Sequence, residues 1–261
     1  MVFMLRAFAF ILLIMTRQPA FAAPVALAAI NSTRPSTNQV CPKAFKNDLS
    51  GLYKIPTEQY KPIKQPFDQF ETLYSKAYYA QVELETLCTT IAMSTETSPL
   101  FSGVKSKERA KQKIATELNG NCTHITDLAR ATLVAKDIPS LVAAFDALSE
   151  HTDIILTQNR FRTPAPSGYR DLKVLVALPH SKIIAEVQFH LAQISKIKNG
   201  PEHELYQAIQ TIERDAVSQG RALNDIELAK IQQMRQQSIA LYQTAWQQYL
   251  TPNAWMRDKA A

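Results

Sequence analysis

Glycine is scarce in this chain, with 6 in 261 residues. So few glycines argue against repeats of tight turns, and no collagen-like period is present. No heptad or solenoid period is present either. Cysteine is scarce too. Cys41, Cys88 and Cys122 never stand in CxxC spacing, which argues against a zinc site. Their odd number allows one disulfide in an oxidising compartment, with one thiol left over and the pairing open. Neither sign of charge dominates: 29 Lys and Arg stand against 23 Asp and Glu. That mildly basic balance suits anionic ligands without selecting one. Beyond the N-terminal region no apolar run reaches the roughly 20 residues a membrane-spanning helix needs.

What is present begins with "MVFMLRAFAFILLIMTRQPAFAAPV". Arg6 precedes an apolar run, Ala7 to Met15, and Ala20-Phe21-Ala22 is a small-x-small cleavage pattern. The expectation is a signal peptide over 1–22, cut after Ala22, and a protein that is exported, periplasmic or secreted. A retained anchor is the alternative, and Arg17 beside the run is atypical. Loss of Arg6 and Arg17 takes the net charge from +6 to +4.

Residues 23–64 are rich in Pro, Ser, Thr, Asn and Lys and read as an irregular lead-in. A single domain is expected over 65–250, then a tail, 251–261. Phe67, Phe70, Leu73, Ala77, Leu84, Leu87 and Ile91 recur at helical spacing and predict a helix of about seven turns, with Pro66 at its first position. "LFSGVKSKERAKQKIATEL" reads as a short extended stretch and a basic helix. "ITDLARATLVA" reads as a strand, "KDIPSLVAAFDALSEH" as a helix capped by Asp137, and "TDIILTQ" as a strand, making a βαβ-type unit. A hairpin turning at Pro179-His180 follows. Helices are expected over roughly 191–218 and 225–250, the last opened by an Asn224/Glu227 capping pair and buried along Ile231, Met234, Leu241, Ala245 and Tyr249. The class is α+β, a mixed central sheet of four or five strands flanked by helices.

The hairpin "SGYRDLKVLVALPHSKIIAEVQFHL" raises the functional question. Alternation sends Leu172, Val174 and Val176 to the core with Ala185, Val187 and Phe189. Tyr169, Asp171 and Lys173 then share the other face with Glu186, Gln188 and His190. A one-residue slip would bury that polar set, so register is fixed by burial. A surface patch mixing an aromatic, a cation, carboxylates, an amide and an imidazole reads as a floor for an anionic, aromatic ligand.

These segments resemble a known family. "SGYRDLK" and "AEVQFHL" resemble the GYRSLH and E-V/I-Q-I-R-T signatures of RelA/SpoT-type nucleotide pyrophosphokinases. "ITDLARATLV" resembles their D-I-A-G-I-R segment, and "VKSKERAKQKI" their R-V-K-S-x-x-S-I-x-x-K-L segment. The resemblance covers about 100–210, with the motifs in order. It implies a nucleotidyltransferase-like fold. The implied reaction moves the pyrophosphate of ATP onto the 3′-hydroxyl of an acceptor nucleotide, usually GTP or GDP, with Mg²⁺ as cofactor. Such chemistry needs carboxylates for the ion, cations for the triphosphate, and a surface that holds the acceptor base beside the donor.

By the same resemblance, Asp127 is the metal-binding Asp and Glu186 the catalytic Glu, which also binds metal and helps deprotonate the acceptor. Gln188 stands beside the metal. Tyr169 stacks the base, Lys105 and Lys113 contact ATP phosphates, and Arg170 follows the Tyr. The departures are specific. Gly103 replaces the first Arg of R-V-K-S, and Arg109 its second Ser. Arg130 stands two places early and Thr132 takes the place of the Arg in D-I-A-G-I-R. Lys173 replaces a His, and His190 an Arg. Arg109 and Arg130 are the candidates for restoring the lost cations. No His-Asp pair is present, so the hydrolase half of the long family members is absent. Export of an ATP-using enzyme implies action inside another cell, as a toxin or effector, or on released nucleotides. Two other readings stay open: a transferase acting on RNA ends, using the 105–113 basic run with Arg160 and Arg162, and a nucleotide-binding module without turnover.

Overall fold

The computed structural model describes residues 49–250. The expected signal peptide, residues 23–48 of the lead-in, Cys41 and the tail lie outside them. The elements in chain order are α1 (Ser50–Lys54), β1 (Glu58–Gln59), α2 (Phe70–Thr95), β2 (Thr97–Phe101), α3 (Lys107–Glu117), β3 (Arg130–Ala135), α4 (Ile138–His151), β4 (Asp153–Asn159), β5 (Leu172–Ala177), β6 (Ile184–Leu191), α5 (Ala192–Lys198), α6 (Pro201–Ser218) and α7 (Asp225–Leu250). No helix among the described residues is long and apolar enough to cross a membrane.

Six strands form one sheet in the order β1-β4-β5-β6-β3-β2. The pairing of β3 with β6 is parallel, and all other pairings are antiparallel. The strand–helix–strand unit β3-α4-β4 is therefore a crossover that leaves room for two strands, β6 and β5, between its own.

The hairpin register is the one alternation requires. Leu172 pairs with Phe189, Val174 with Val187 and Val176 with Ala185. These residues are fully buried, together with Leu133 of β3. Against them pack Leu73, Ala77, Leu84 and Ile91 of α2 and Leu141, Ala144 and Leu148 of α4. Phe145 meets Phe189 edge to face, ring centroids 6.3 Å apart. Each such large side chain contributes about 1.5–3 kcal/mol by leaving water, so this face fixes the strand order.

Local signals place the helices. Asp137 caps α4 by accepting from the Ser140 amide at 2.9 Å. Asn224 and Glu227 cap α7 reciprocally, at 2.9 and 3.0 Å. On α7, Ile231, Met234, Ala245 and Tyr249 are buried as expected, whereas Leu241 is half-buried and Tyr242 and Trp246 are buried instead.

The structure also departs from the sequence reading. Residues 49–64 are not uniformly irregular. They supply α1 and the edge strand β1, because Asn159 donates its side-chain amide to the carbonyls of Leu52 (2.8 Å) and Ile55 (2.9 Å) and draws that segment onto the sheet. The sheet so gains a sixth strand. Helix α2 starts at Phe70, four residues past Pro66. Strand β3 starts at Arg130, so Ile125 to Ala129 is not strand. The helical stretch 191–218 is broken at Gly200-Pro201, where proline has no N–H to continue the ladder. Cys88 and Cys122 are both buried and not bonded to each other.

Candidate active site

The second face of the sheet carries the polar residues. Strand β6 projects Glu186, Gln188 and His190. In register beside them, β3 presents Arg130, Thr132 and Val134. On the other side β5 presents Lys173 opposite Gln188 and Leu175 opposite Glu186. Glu186 is held on two sides: its Oε2 accepts from Lys173 Nζ at 2.8 Å and its Oε1 from Gln188 Nε2 at 2.8 Å. Lys198, at the end of α5, reaches back to Gln188 Oε1 at 3.4 Å.

A second group stands where β5 begins. Arg160 clamps Asp171 with Nε (2.5 Å) and Nη2 (2.8 Å), and its Nη1 donates to Gln158 Oε1 at 2.8 Å. Tyr169 donates to Asp171 Oδ2 at 2.8 Å and also meets His190 Nε2 at 2.6 Å. Its ring lies edge-on to His190 and to Tyr242 of α7, and the Arg160 guanidinium sits 5.4 Å from its centre. Burial, then the Asp171 carboxylate, pushes the Tyr169 phenol far above its usual range. Burial pulls the His190 imidazole down to about 3, with Lys198 and Arg160 opposing a further positive charge.

Gly168 makes this packing possible. Its φ of +83° suits glycine, and a Cβ there would lie 3.2 Å from Ile239 Cα of α7. Ser238 of the same helix donates to the Ser167 carbonyl at 3.3 Å.

A third group is built around Asp127. Asp127 Oδ2 accepts from Lys105 Nζ at 2.7 Å and from Lys113 Nζ at 2.8 Å. Burial alone would raise this carboxyl, but the two ammonium groups hold it below its usual range. Its other oxygen, Oδ1, is buried and has no partner. Asp127 joins the sheet face through the main chain: the Glu186 amide donates to the Ala129 carbonyl at 3.1 Å, two residues further on. The two carboxylates share no hydrogen-bond partner.

The expected residues therefore assemble in part. Glu186, Gln188, Lys173, Arg130, His190 and Tyr169 occupy one connected face, and Asp127, Lys105 and Lys113 form a separate cluster linked to it only through the backbone at Ala129. Arg109 does not join them; it is exposed on α3, one turn before Lys113. Arg170 is drawn elsewhere, donating to the Phe161 carbonyl at 2.9 Å and stacking 5.0 Å from the Trp246 ring. The polar patch is also less open than alternation suggests. Asp171 and His190 are 0% and 1% exposed, because α7 brings Tyr242 against Tyr169. Tyr169 is enclosed rather than presented as an open stacking surface. Residues that the sequence reading did not place in the site include Lys198, Gln158 and Tyr242. The motifs give none of them a site role, since each reaches the site through tertiary packing.

A cavity of about 480 Å³ opens beside Lys173, lined also by Gln158, Thr126, His124, Leu156 and Leu175. It adjoins the Lys173–Glu186 pair and has both apolar and hydrogen-bonding walls, as ligand pockets do. A larger cavity, about 600 Å³, is lined by residues of α5, α6 and α7 and by none of the site residues above.

No family model and no curated relative matches this sequence. Solved structures do. The Type VI effector Tas1, in complex with its immunity protein, superposes with a TM-score of 0.50 at 20% identity, covering 68% of this chain and 96% of that one. The small alarmone synthetase 2 from Bacillus subtilis superposes at 0.52 with 17% identity, covering 69% and 94%. The fold is that of the RelA/SpoT-like alarmone synthetases. In this alarmone-synthetase fold, the E-V-Q segment of the chain lies on an interior strand, β6, flanked by β5 and β3. The lysine-rich segment resembling R-V-K-S contributes Lys105 and Lys113, the two cations that meet Asp127.

Proposed function

We propose that this protein is a nucleotide pyrophosphokinase, transferring the pyrophosphate of ATP to the 3′-hydroxyl of an acceptor nucleotide. The observation that carries the reading is the Lys173–Glu186–Gln188 cluster across β5 and β6, together with Asp127 and its two lysines two residues before the Ala129–Glu186 backbone bond, in a fold shared with small alarmone synthetases. In the reaction the acceptor oxygen attacks the β-phosphorus of ATP. The bond from that phosphorus to the α,β-bridging oxygen breaks, and AMP leaves. Glu186 takes the proton from the acceptor hydroxyl. Lys173 and Gln188 hold its carboxylate in place for that step. Lys105 and Lys113 supply positive charge for the triphosphate.

Magnesium fits this donor set. Asp127 Oδ1 is a buried acceptor without a partner. Among the described residues no group of three or more His, Cys, Asp or Glu side chains is placed to hold a metal. Mg²⁺ usually binds through one or two carboxylates together with substrate phosphates, so Asp127 and Glu186 are its candidate ligands. When bound, the ion would neutralise charge on the phosphates.

The N-terminal sequence supports export, and the likeness to an effector that has an immunity protein supports action as an effector, with a dedicated inhibitor as partner. The RNA-end reading is weakened because Arg160 is committed to Asp171 and Gln158. The test is to incubate the chain lacking residues 1–22 with Mg-ATP and each of GTP, GDP and ATP, and to weigh the products. A product heavier than the acceptor by one pyrophosphoryl group, absent with Glu186→Gln, is expected. No such product with any acceptor would sink the proposal.

A further inference from the structure

Most cations of the site have an acidic partner. Lys173 pairs with Glu186, Arg160 with Asp171, and Lys105 and Lys113 with Asp127. Two do not. Among the described residues neither Lys198 nor Arg130 forms an ion pair, and both are half-buried beside Glu186 and Gln188. Arg130 is the register partner of Glu186 on β3, and its Nε is buried without a hydrogen-bond partner. Lys198 arrives from the opposite direction. The short helix α5 follows β6 directly and brings Nζ to 3.4 Å from Gln188 Oε1, ten residues back along the chain.

Two like charges on a partly desolvated face repel each other. Burial lowers the Lys198 ammonium from its usual range, Asp171 and Glu186 oppose that shift, and Arg130 adds to it. Such a pair is stable at modest cost only when something negative lies between or above it. Asp171, Glu186 and Glu202 supply part of that charge, but Asp171 and Glu186 are already engaged by other cations, and Glu202 accepts from Ser238 and Tyr242. The arrangement is that of an anion receptor.

We infer that Lys198 and Arg130 form a phosphate seat over Glu186 and Gln188, with Lys198 a nucleotide-binding residue contributed by α5. Lys198 supplies a cation to the face where the resemblance expects an arginine at position 190. The residue at 190 is a neutral, buried histidine bonded to Tyr169 and cannot serve. The anion is a phosphate or pyrophosphate group. Its assignment to a nucleotide rests on the pyrophosphokinase reading, but the seat itself does not.

Titration calorimetry of the chain lacking residues 1–22 with inorganic pyrophosphate tests the seat without turnover. Lys198→Met and Arg130→Met are each expected to weaken binding by about tenfold, as loss of one charge-assisted contact does. Lys198→Arg retains binding. Lys196→Met, on the exposed side of the same helix, changes net charge equally and leaves affinity unchanged. Thermal melts check that each variant folds. No binding by the parent chain, an unchanged affinity in Lys198→Met, or an equal loss in Lys196→Met overturns the inference. If pyrophosphate binds in a Lys198-dependent way but no acceptor is modified, the reaction proposed above falls and the seat stands. If product forms while Lys198→Met binds pyrophosphate like the parent, the seat falls and the reaction stands.

Discussion

Tyr169 and His190 meet at 2.6 Å, hydroxyl oxygen to Nε2, and that bond has one direction. The Tyr169 proton is already donated to Asp171 Oδ2. His190 must therefore donate from Nε2, which leaves Nδ1 bare. That Nδ1 is buried and without a partner. The imidazole is thus neutral in one tautomer, and a second proton would have to enter a closed space beside Arg160.

The consequence is acid sensitivity. The folded-state pKa of about 3 lies below the 6.5 of a free imidazole. Above pH 6.5 neither state carries the proton. Between 6.5 and 3 the unfolded chain binds it and the folded chain does not. Stability falls as pH drops through that window, by about 1.4 kcal/mol per pH unit where the slope is full. Urea unfolding at pH 7, 6, 5 and 4.5 measures this. His190→Gln keeps a donor for Tyr169 and flattens the dependence; parallel curves for the two proteins would contradict the assignment.

In the proposed reaction, Glu186→Gln would remove the proton acceptor while keeping size and one acceptor oxygen. Product formation is expected to fall by about a hundredfold or more. Circular dichroism should change little, while the melting temperature falls because Lys173 loses its ion-pair partner. A variant that still turns over at the parent rate would assign the proton transfer to another group.

Asp127→Asn leaves Lys105 and Lys113 facing a neutral amide in a half-buried site. Breaking such a pair from one side costs about 3 kcal/mol. The Asp127 carboxyl is held below its usual range, so its contribution is present above about pH 4 and is lost as pH falls through the folded value. Chemical denaturation at pH 7 and pH 3 should show the variant's deficit shrinking at the lower pH. A deficit of equal size at both would show that charge is not the cause.

Phe189→Ala empties the centre of the apolar face, where the ring packs on Phe145. A loss of about 3–5 kcal/mol is expected in urea unfolding. A loss below about 1 kcal/mol would mean that this face is not the principal core.

The apolar half of the fold was written openly in the sequence. Alternation in the hairpin chose Leu172, Val174, Val176, Ala185, Val187 and Phe189 for the core, and the Asn224/Glu227 and Asp137 caps fixed helix starts. What covers the other half was not legible. Alternation says which side chains share a face, and Tyr242, which encloses Tyr169, lies some seventy residues downstream. The strand expected from Ile125 begins at Arg130 because Asp127 turns to two lysines, an ion-pair geometry that propensity does not encode. No motif gives Lys198 a site role; it enters the site because α5 follows β6 directly and brings Nζ to Gln188.

The cover over this network comes from α7, a helix distant from it in the chain. Ser238, Ile239 and Tyr242 seat against Ser167, Gly168 and Tyr169, so a cut in the chain ahead of Ser238 would strip that cover and open the Tyr169 ring to water.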